Sequence, residues 1–307
     1  MSVAYISHPI CLQHEMGTHH PECPARLTAI QQHFKSSGLM DELISLEARP
    51  ADWSLVTRAH PQSMIDHLLA LNPEQGLAFI DADTAMNPYS LNAALHAAGA
   101  AVQAVDGVIS GEFQRAFCAV RPPGHHAEAE LPMGFCLLNS IAIAALYALE
   151  QEGIEHVAII DFDVHHGNGT VDIFQDNPRV MVCSSFQYPF YPGRMQDIQR
   201  DHIINTPLPA GTGSAAYRHA VERQWLQALQ AFAPDLILIS AGFDAHRDDP
   251  LGQLELVAQD YAWVTEFILN IAGRHALGRT VSLLEGGYNL NALAESCYQH
   301  VSTLVSS

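Results

Sequence analysis

Short runs of apolar residues, most of them followed directly by a polar cluster, constrain the fold of this chain more than any other feature. Six such runs predict β-strands: Val3–Ser7, Phe117–Val120, Val157–Asp161, Val180–Ser184, Leu236–Ser240 and Thr280–Leu284. They are continuously apolar rather than alternating, which is typical of strands buried on both faces of a parallel sheet. Longer segments between them predict helices: Ser90–Ile109, Ser140–Gln151, Ala215–Phe232, Gln259–Arg274 and Leu290–Val305. This order predicts an α/β fold, with a parallel sheet between helices.

The composition predicts one well-packed domain. Hydrophobic residues make up 48% of the 307 residues and charged residues only 15%, whereas disordered chains are poor in hydrophobic residues and rich in charge. No internal repeat, low-complexity stretch or linker divides the chain. We therefore expect residues 1–307 to form a single domain.

The charge of the chain limits its partners. Acidic residues number 33 and basic residues 14, which gives a formal net charge of −19, and Lys35 is the single lysine. Such a field repels the phosphates of nucleic acids and of anionic membranes, so we expect neither as a partner. It favours cationic ligands such as basic peptides or polyamines. The longest apolar run, Ile141–Leu149, is far shorter than the ~20 residues that span a bilayer.

The cysteines and the first residues predict a cytoplasmic protein. The 6 cysteines form no C-x-x-C pair, and we expect them to be reduced thiols. The Met1–Tyr5 segment has neither the basic region nor the long apolar region of a signal peptide. Both observations indicate the cytoplasm.

Two of the polar clusters contain residues that can bind a metal ion. Asp163 and His165 follow the strand Val157–Asp161 and can place a carboxylate and an imidazole on one side of the chain. Asp244 follows the strand Leu236–Ser240 and can add a third metal-binding side chain. The carboxyl ends of parallel strands lie at one edge of the sheet, which is where such sheets bind their ligands. Three protein ligands with an open position are typical of a catalytic metal site, here for Zn²⁺ or Fe²⁺. A hydrogen-bonded Asp–His pair without a metal is the simpler alternative.

Two adjacent histidines can move protons at the same edge. His125 and His126 follow the rigid segment Pro122-Pro123-Gly124. Neutral imidazoles transfer protons well near pH 7, so the two histidines could divide the proton transfers of one reaction. Asp161 could orient one imidazole and Asn168 the other. A pair of ordinary buried or surface histidines is the alternative.

Aromatic residues lie beside these clusters. Tyr288 follows two glycines after the last predicted strand and could donate a hydrogen bond to a polarised carbonyl. Phe135 and Tyr188 could wall a narrow apolar channel. Arg26 could be a buried charge near the site or a surface group. Each of these residues, taken alone, also fits a packing role. Glycine-rich nucleotide-binding motifs and a Gly-x-Ser-x-Gly elbow are absent, which argues against nucleotide cofactors and a serine hydrolase.

The motifs, taken together, resemble those of the zinc-dependent histone deacetylase superfamily. In chain order they are R-P-P-G-H-H, M-G-F-C-L-L-N-S, D-F-D-V-H-H-G-N-G-T, S-A-G-F-D-A-H and E-G-G-Y. With H-P-E-C-P-A-R-L near the start, the chain is most similar to the class II-type and bacterial branch. The resemblance extends from about Tyr5 to Tyr298. It implies an arginase-like α/β fold with an eight-stranded parallel sheet, and a bacterial source.

The resemblance also implies the roles of the motif residues. It implies that Zn²⁺ is bound by Asp163, His165 and Asp244. His125 resembles the general base, and His126 resembles the second histidine, which helps to protonate the leaving amine. Tyr288 resembles the tyrosine that polarises the acetyl carbonyl.

The resemblance implies further residues that line the substrate channel and further residues that bind a second ion. Phe135 and Tyr188 resemble the aromatic walls, and Gly134 resembles a glycine that lines the acyl-lysine tunnel. Asp83 resembles the rim aspartate that holds substrate backbone amides. Part of a structural K⁺ site is implied at Asp161 and Ser184. Asn168 stands where class I enzymes carry Asp, which supports the class II-type branch.

The resemblance implies a zinc-dependent amidohydrolase that cleaves the acetyl amide of Nε-acetyl-lysine, in a protein, in a peptide or free, to give an amine and acetate. An acetylpolyamine amidohydrolase is the alternative. Leu251 is apolar where polyamine-specific members carry a glutamate, and this favours acetyl-lysine. Two remoter alternatives are a catalytically inactive module that binds acylated lysine and an arginase-type ureohydrolase. The full set of motif residues argues against the first, and the neutral Asn168 argues against the second.

Overall fold

Most of the strands form one parallel sheet through the centre of the molecule. The computed structural model describes residues 1–307. The strands are β1 (Val3–Ser7), β2 (Ile44–Glu47), β3 (Ala78–Phe79), β4 (Ala85–Met86), β5 (Arg115–Cys118), β6 (Val157–Asp161), β7 (Val180–Gln187), β8 (Ile203–Leu208), β9 (Leu236–Ala241) and β10 (Thr280–Leu284). β3 and β4 form a short antiparallel hairpin, and the other eight form a sheet in the order β2-β1-β5-β10-β9-β6-β7-β8. Every pairing within this sheet is parallel.

Helices connect the strands and flank the sheet. They are α1 (Ala25–Ser37), α2 (Trp53–Val56), α3 (Gln62–Leu71), α4 (Ser90–Ser110), α5 (Ser140–Ala148), α6 (Asn168–Phe174), α7 (Ser214–Phe232), α8 (Ala258–His275) and α9 (Leu290–Ser306). α4 packs on α5, while α9 packs on both α1 and α8, and α8 also contacts α7. A cluster of 86 buried hydrophobic residues joins the sheet to these helices. The predicted α/β architecture and the eight-stranded parallel sheet are therefore confirmed.

Helix α4 has the length and apolar composition of a membrane-spanning segment, although no single run in it is long. Its most apolar window is 67% buried inside the protein. It packs against α5 and against strands β1, β5 and β10. Its apolar residues are therefore accounted for by the core of the fold.

The central strands match the sequence prediction, whereas the two edge strands were missed. β1, β6 and β10 have the predicted bounds, and β5 begins two residues earlier than predicted, at Arg115. The guanidinium of Arg115 donates to the carbonyl oxygen of Ser307 at 3.1 Å, so this charged residue can occupy a strand of the core. β2 and β8 lie at the two edges of the sheet. Edge strands need no continuous apolar run, and each of these two contains polar or exposed residues.

The order of the strands determines where the polar clusters meet. β5, β10, β9 and β6 are consecutive neighbours in the middle of the sheet. Each is followed by one of the polar clusters identified in the sequence. Because all four strands are parallel, their carboxyl ends lie at the same edge, which is where ligands bind in open α/β sheets.

Candidate active site

Three ligand-type side chains converge at this edge of the sheet. The candidate ligand atoms of Asp163, His165 and Asp244 all lie within 4.8 Å of one another. His165 Nδ1 is 3.1 Å from Asp163 Oδ1 and 3.2 Å from Asp244 Oδ2. The two carboxylates are almost completely buried. The structure thus brings together the three residues that were predicted as metal ligands.

The surroundings of these carboxylates fit a bound cation. Asp163 Oδ2 accepts the Gly286 N–H at 2.9 Å, and Asp244 Oδ1 accepts the Val164 N–H at 2.8 Å. Asp244 Oδ2 is buried, and its one polar partner is the His165 imidazole, whose Nδ1 lies 3.2 Å away. A Cβ atom on Gly286 would lie 2.0 Å from that same oxygen, so only glycine leaves the space free. Two buried carboxylates beside a single imidazole are costly unless further positive charge pairs with them, and a bound cation would supply it.

The close packing of His165 with the two carboxylates shifts the pKa values of His165 and Asp244. Burial by itself would lower the pKa of His165, but hydrogen bonds to Asp163 and Asp244 outweigh it and raise the pKa to about 10. Burial, together with the charge of Asp163, raises the pKa of Asp244 to about 7. The His165 ring therefore carries a proton between the two carboxylates at neutral pH, and a divalent cation that binds there would displace it.

The two adjacent histidines have different partners. His125 Nδ1 lies 2.9 Å from Asp161 Oδ2, and His126 Nδ1 lies 2.7 Å from Asn168 Oδ1. Burial would lower the pKa of His125, but the charges of Asp163 and Asp161 raise it well above its ordinary value. Burial and the neighbouring His125 hold the pKa of His126 well below its ordinary value. One imidazole is thus stabilised as a cation and the other as a neutral ring.

Glu285 holds the backbone of the histidine loop, a role that was not predicted from the sequence. Its Oε2 accepts the N–H groups of Gly124 at 2.7 Å and of His125 at 3.2 Å. Its Oε1 accepts the hydroxyl of Ser240 at 3.1 Å. Burial raises the pKa of Glu285 to about 7. The carboxyl fixes the backbone that carries His125, and its position at the end of a strand was the available signal.

A narrow cavity of about 280 Å³ opens beside the ligand cluster. Its walls include His126, His165, Phe135, Phe190, Tyr191, Leu251 and Tyr288, with Asp83 also at the wall. The rings of Phe135 and Tyr288 meet edge to face with 5.9 Å between centroids, and Phe190 stacks on His165 at 5.5 Å. This shape suits a slender apolar chain that ends in a polar group.

Gly134 and Phe135 form one wall through an unusual backbone. A Cβ atom on Gly134 would lie 2.6 Å from the ring of His126, so glycine is needed for this close approach. Phe135 has a φ of 66°, a left-handed conformation that non-glycine residues rarely adopt. The Oγ1 of Thr84 accepts the Phe135 N–H at 3.1 Å and holds this turn in place.

The structure corrects the prediction for the opposite wall. Tyr188 is 45% exposed and does not line the cavity. The Tyr188 N–H donates to the Leu208 carbonyl at 2.8 Å, which extends the ladder at the end of β7. The chain turns after this point, so Phe190 and Tyr191 face the cavity instead. Tyr191 contacts His126 edge to face at 5.2 Å.

Asp249, which was not predicted from the sequence as a site residue, holds two parts of the cavity wall. Its Oδ1 accepts the Leu251 N–H at 2.9 Å. Its Oδ2 accepts the N–H groups of Tyr288 at 2.6 Å and Asn289 at 3.1 Å. One carboxylate thus fixes both the apolar residue at position 251 and the tyrosine loop. Its place five residues after Asp244 was the only sequence signal.

Arg26 is a buried charge beside the site, which settles the two alternatives left by the sequence. Its guanidinium carbon lies 5.0 Å from the centroid of the Tyr288 ring, and its Nε donates to Gly287 O at 2.7 Å. It also pairs with Glu22 at 3.1 Å, and Glu22 is bonded in turn to Arg121. Glu22 thus pairs with two buried guanidinium groups, and Arg26 supports the Gly-Gly-Tyr loop.

The predicted K⁺ site remains a prediction, but its residues are adjacent. Asp161 and Ser184 are direct neighbours in the register of β6 and β7. The Ser184 hydroxyl is buried and has no hydrogen-bond partner. Such an unpartnered oxygen suits the coordination of an alkali cation.

The fold and the site together define a class. A parallel sheet with helices on both faces carries a candidate metal cluster, and one of the two adjacent histidines and Tyr288 line a narrow cavity beside it; this combination is typical of a metal-dependent hydrolase. The family model described as "Histone deacetylase domain" matches residues 20–304. The chain therefore belongs to the histone deacetylase family, whose members are deacetylases and related amidohydrolases.

Known proteins similar to this chain agree with that assignment. A histone deacetylase-like amidohydrolase of Pseudomonas aeruginosa is 34% identical, over 93% of this chain and 81% of its own. The human polyamine deacetylase HDAC10 is 35% identical, over 93% of this chain and 45% of its own. The crystal structure of the HD domain of HDA15 superimposes with a TM-score of 0.93 at 33% identity, covering 99% of this chain and 89% of that one.

Proposed function

We propose that this chain is a zinc-dependent deacetylase that hydrolyses the acetyl amide of Nε-acetyl-lysine. One observation carries the proposal: His165 of the ligand cluster, His126 and Tyr288 border a single narrow cavity with aromatic walls. The four-carbon stem of acetyl-lysine fits between such walls, and its amide then lies beside the ligand cluster.

The metal ligands would be Asp163, His165 and Asp244, a donor set that suits Zn²⁺ and also tolerates Fe²⁺. A divalent ion bound there would polarise the amide carbonyl and acidify a water molecule. The other steps belong to the side chains around the cavity.

Tyr288 is the donor for the charge that develops on the carbonyl oxygen. Burial raises the pKa of its phenol well above the ordinary value, so it stays protonated at neutral pH. Its loop is held by Asp249 and by Arg26. A hydrogen-bond donor fixed in advance stabilises the oxyanion without reorganisation.

The partners of the two histidines favour His126 as the general base, whereas the resemblance implies that His125 has this role. His126 lines the cavity and bonds to the neutral Asn168, so it is the better acceptor for a proton of the attacking water. His125 does not line the cavity and bonds to the carboxylate of Asp161, which stabilises its imidazolium. When the C–N bond breaks, the proton on His126 passes to the amine nitrogen. The products are acetate and a free amine.

Substrate choice depends on the wall of the cavity. Leu251 is apolar there, which suits the neutral backbone of a lysine-containing peptide. A second candidate is an acetylated polyamine, because the relative HDAC10 is named a polyamine deacetylase and the net charge of −19 favours cationic substrates. Both candidates use the same site and the same chemistry.

A side-by-side assay tests the proposal. The zinc-loaded protein is given an acetyl-lysine peptide and acetylputrescine at equal concentrations, with Tyr288→Phe as the blank. We expect the peptide to be hydrolysed faster. Faster turnover of acetylputrescine would move the function to polyamine deacetylation, and no turnover of either amide with metal bound would contradict both candidates.

A further inference from the structure

Glu128 is a buried carboxylate two residues after His126, and the reaction described above does not use it. Its Oε1 accepts a hydrogen bond from Asn168 Nδ2 at 2.8 Å, and Asn168 Oδ1 lies 2.7 Å from His126 Nδ1. Arg194 donates to both carboxylate oxygens at 2.8 Å each. Four side chains thus form a continuous hydrogen-bonded line that ends at the cavity.

The line determines which end of the Asn168 amide faces His126. The two ends of an amide are nearly equal in size, but one donates and the other accepts. An ionised carboxylate only accepts, so Glu128 selects the Nδ2 end, and Oδ1 turns to the imidazole. The carbonyl oxygen of His126, 3.3 Å from the same Nδ2, makes a longer contact that favours the same orientation.

The orientation of this amide decides the tautomer of His126. An oxygen facing Nδ1 requires a hydrogen on Nδ1, so in the neutral ring Nε2 carries the lone pair. With the amide reversed, the hydrogen would move to Nε2, and that nitrogen could no longer accept a proton. The ring contacts Tyr191 in the cavity wall, which limits its rotation.

Arg194 holds Glu128 from the other side. The side chain of Glu128 is 6% exposed and that of Arg194 is 48% exposed. A bidentate pair fixes both carboxylate oxygens, and Oε1 accepts from Asn168 with its remaining lone pair. Arg194 lies three residues after Tyr191, so the same pair joins the aromatic wall to the histidine loop.

We propose that Glu128 is a positioning residue for His126, which acts by fixing the Asn168 amide, and that Arg194 holds Glu128 in place. This inference rests on the proposed function only in that His126 Nε2 is taken as the proton acceptor. The tautomer itself is a property of the folded protein and can be measured without turnover.

The first test compares Glu128→Gln with Glu130→Gln, its matched control on the same loop at an exposed position. Glutamine can donate as well as accept, so both orientations of the Asn168 amide become available. We expect Glu128→Gln to lower kcat by about tenfold or more, in the direction known for wrong-tautomer histidines, with KM and bound metal unchanged. Equal kcat values for the two variants would overturn the proposal.

A rescue experiment tests whether Glu128 acts through residue 168. Asn168→Asp sets two carboxylates against each other across the 2.8 Å contact and should lower kcat. Adding Glu128→Gln restores a donor opposite the new carboxylate and should recover most of the loss. If the double variant is no faster than Asn168→Asp alone, the two residues are not coupled and the proposal is wrong.

The ring-nitrogen NMR signals of His126 provide a readout that is independent of activity. In the wild type we expect a proton on Nδ1, and in Glu128→Gln a mixture of tautomers. If the wild type shows this tautomer but hydrolyses no acetylated amine, the proposed function fails and the inference stands. If the signals are the same in both proteins, the inference fails even in an active enzyme. If Glu128→Gln folds poorly, Arg194→Gln can be measured in its place, because Arg194 is half-exposed. It should shift the same signals in the same direction.

Discussion

The carboxylate of Asp249 accepts the backbone N–H of Tyr288 at 2.6 Å. The same side chain accepts the N–H of Leu251 at 2.9 Å. A single buried group therefore positions the proposed oxyanion donor and the residue expected to govern substrate choice. Movement of Asp249 would affect catalysis and specificity together.

Replacing Asp249 with asparagine should impair both loops. An amide has one acceptor oxygen where the carboxylate has two, so at least one of the three N–H groups would face a donor. We expect kcat to fall by about ten- to a hundredfold, because small misplacements of a catalytic group are costly. Steady-state kinetics of Asp249→Asn, beside the exposed neighbour Asp248→Asn, measure this effect. Equal kcat values in the two variants would show that the Tyr288 loop is held by other contacts.

Tyr288→Phe removes only the hydroxyl of a ring that lines the cavity. We expect kcat to fall by about 10²–10³-fold, as for the loss of other oxyanion donors, while bound zinc and the thermal midpoint stay unchanged. Turnover, metal analysis and thermal unfolding of the same preparation check this. Unchanged turnover would remove Tyr288 from the mechanism.

Asp244→Ala removes the buried carboxylate that lies 3.2 Å from His165 Nδ1 in the ligand cluster. We expect the bound metal to fall from about one ion per chain to near zero, since two remaining ligands bind weakly. Metal analysis after dialysis measures it, with Asp248→Ala as a control for the loss of one negative charge. Full retention of metal in Asp244→Ala would refute the ligand set, and two ions per wild-type chain would favour a ureohydrolase-type site.

Leu251→Glu should change the substrate preference. A carboxylate at this wall would attract the distal ammonium group of an acetylated polyamine. A partly exposed ion pair stabilises by about 1 kcal/mol, so kcat/KM for acetylputrescine relative to an acetyl-lysine peptide should rise about fivefold. Leu69→Glu, on the exposed side of α3, controls for the added charge. An unchanged ratio would mean that Leu251 does not set the preference.

His300 makes the stability of the protein depend on pH. Its ring nitrogens bond to the hydroxyls of Thr265 at 2.6 Å and Ser282 at 2.8 Å, and burial lowers its pKa to about 3. The folded pKa lies below the ordinary 6.5, so the unfolded chain binds a proton that the folded chain excludes. The stabilisation is complete above pH 6.5 and is lost as the pH falls towards 3.

The corresponding measurement is urea unfolding at pH 7 and pH 5. His300 should account for a loss of about 2 kcal/mol in the free energy of unfolding over this interval. His300→Gln keeps polar groups for Thr265 and Ser282 but does not titrate, so its loss between the two pH values should be smaller by that amount. If both proteins lose the same free energy, other groups cause the pH dependence.

Local sequence was sufficient for the central strands and for the core of the site. β6, β9 and β10 are buried along their whole length, so most of their residues are apolar whichever strand lies beside them. The residues that follow them, including Asp163, Asp244 and Tyr288, could be placed at one edge because parallel strands end together. The chemistry of these residue types then indicated a metal site and proton transfer.

The tertiary structure alone decided the contacts that join distant segments. It showed that β2 and β8 are edge strands, whose exposed or polar residues carry no apolar signal. It placed Tyr191 rather than Tyr188 in the cavity wall, because the turn after β7 sets the direction of each ring. It also joined Glu128 to Arg194 across 66 residues and Asp249 to Tyr288 across 39. The local pattern of apolar residues predicts which segments are buried. Pairings between distant residues depend instead on how the loops pack once the whole sheet has formed.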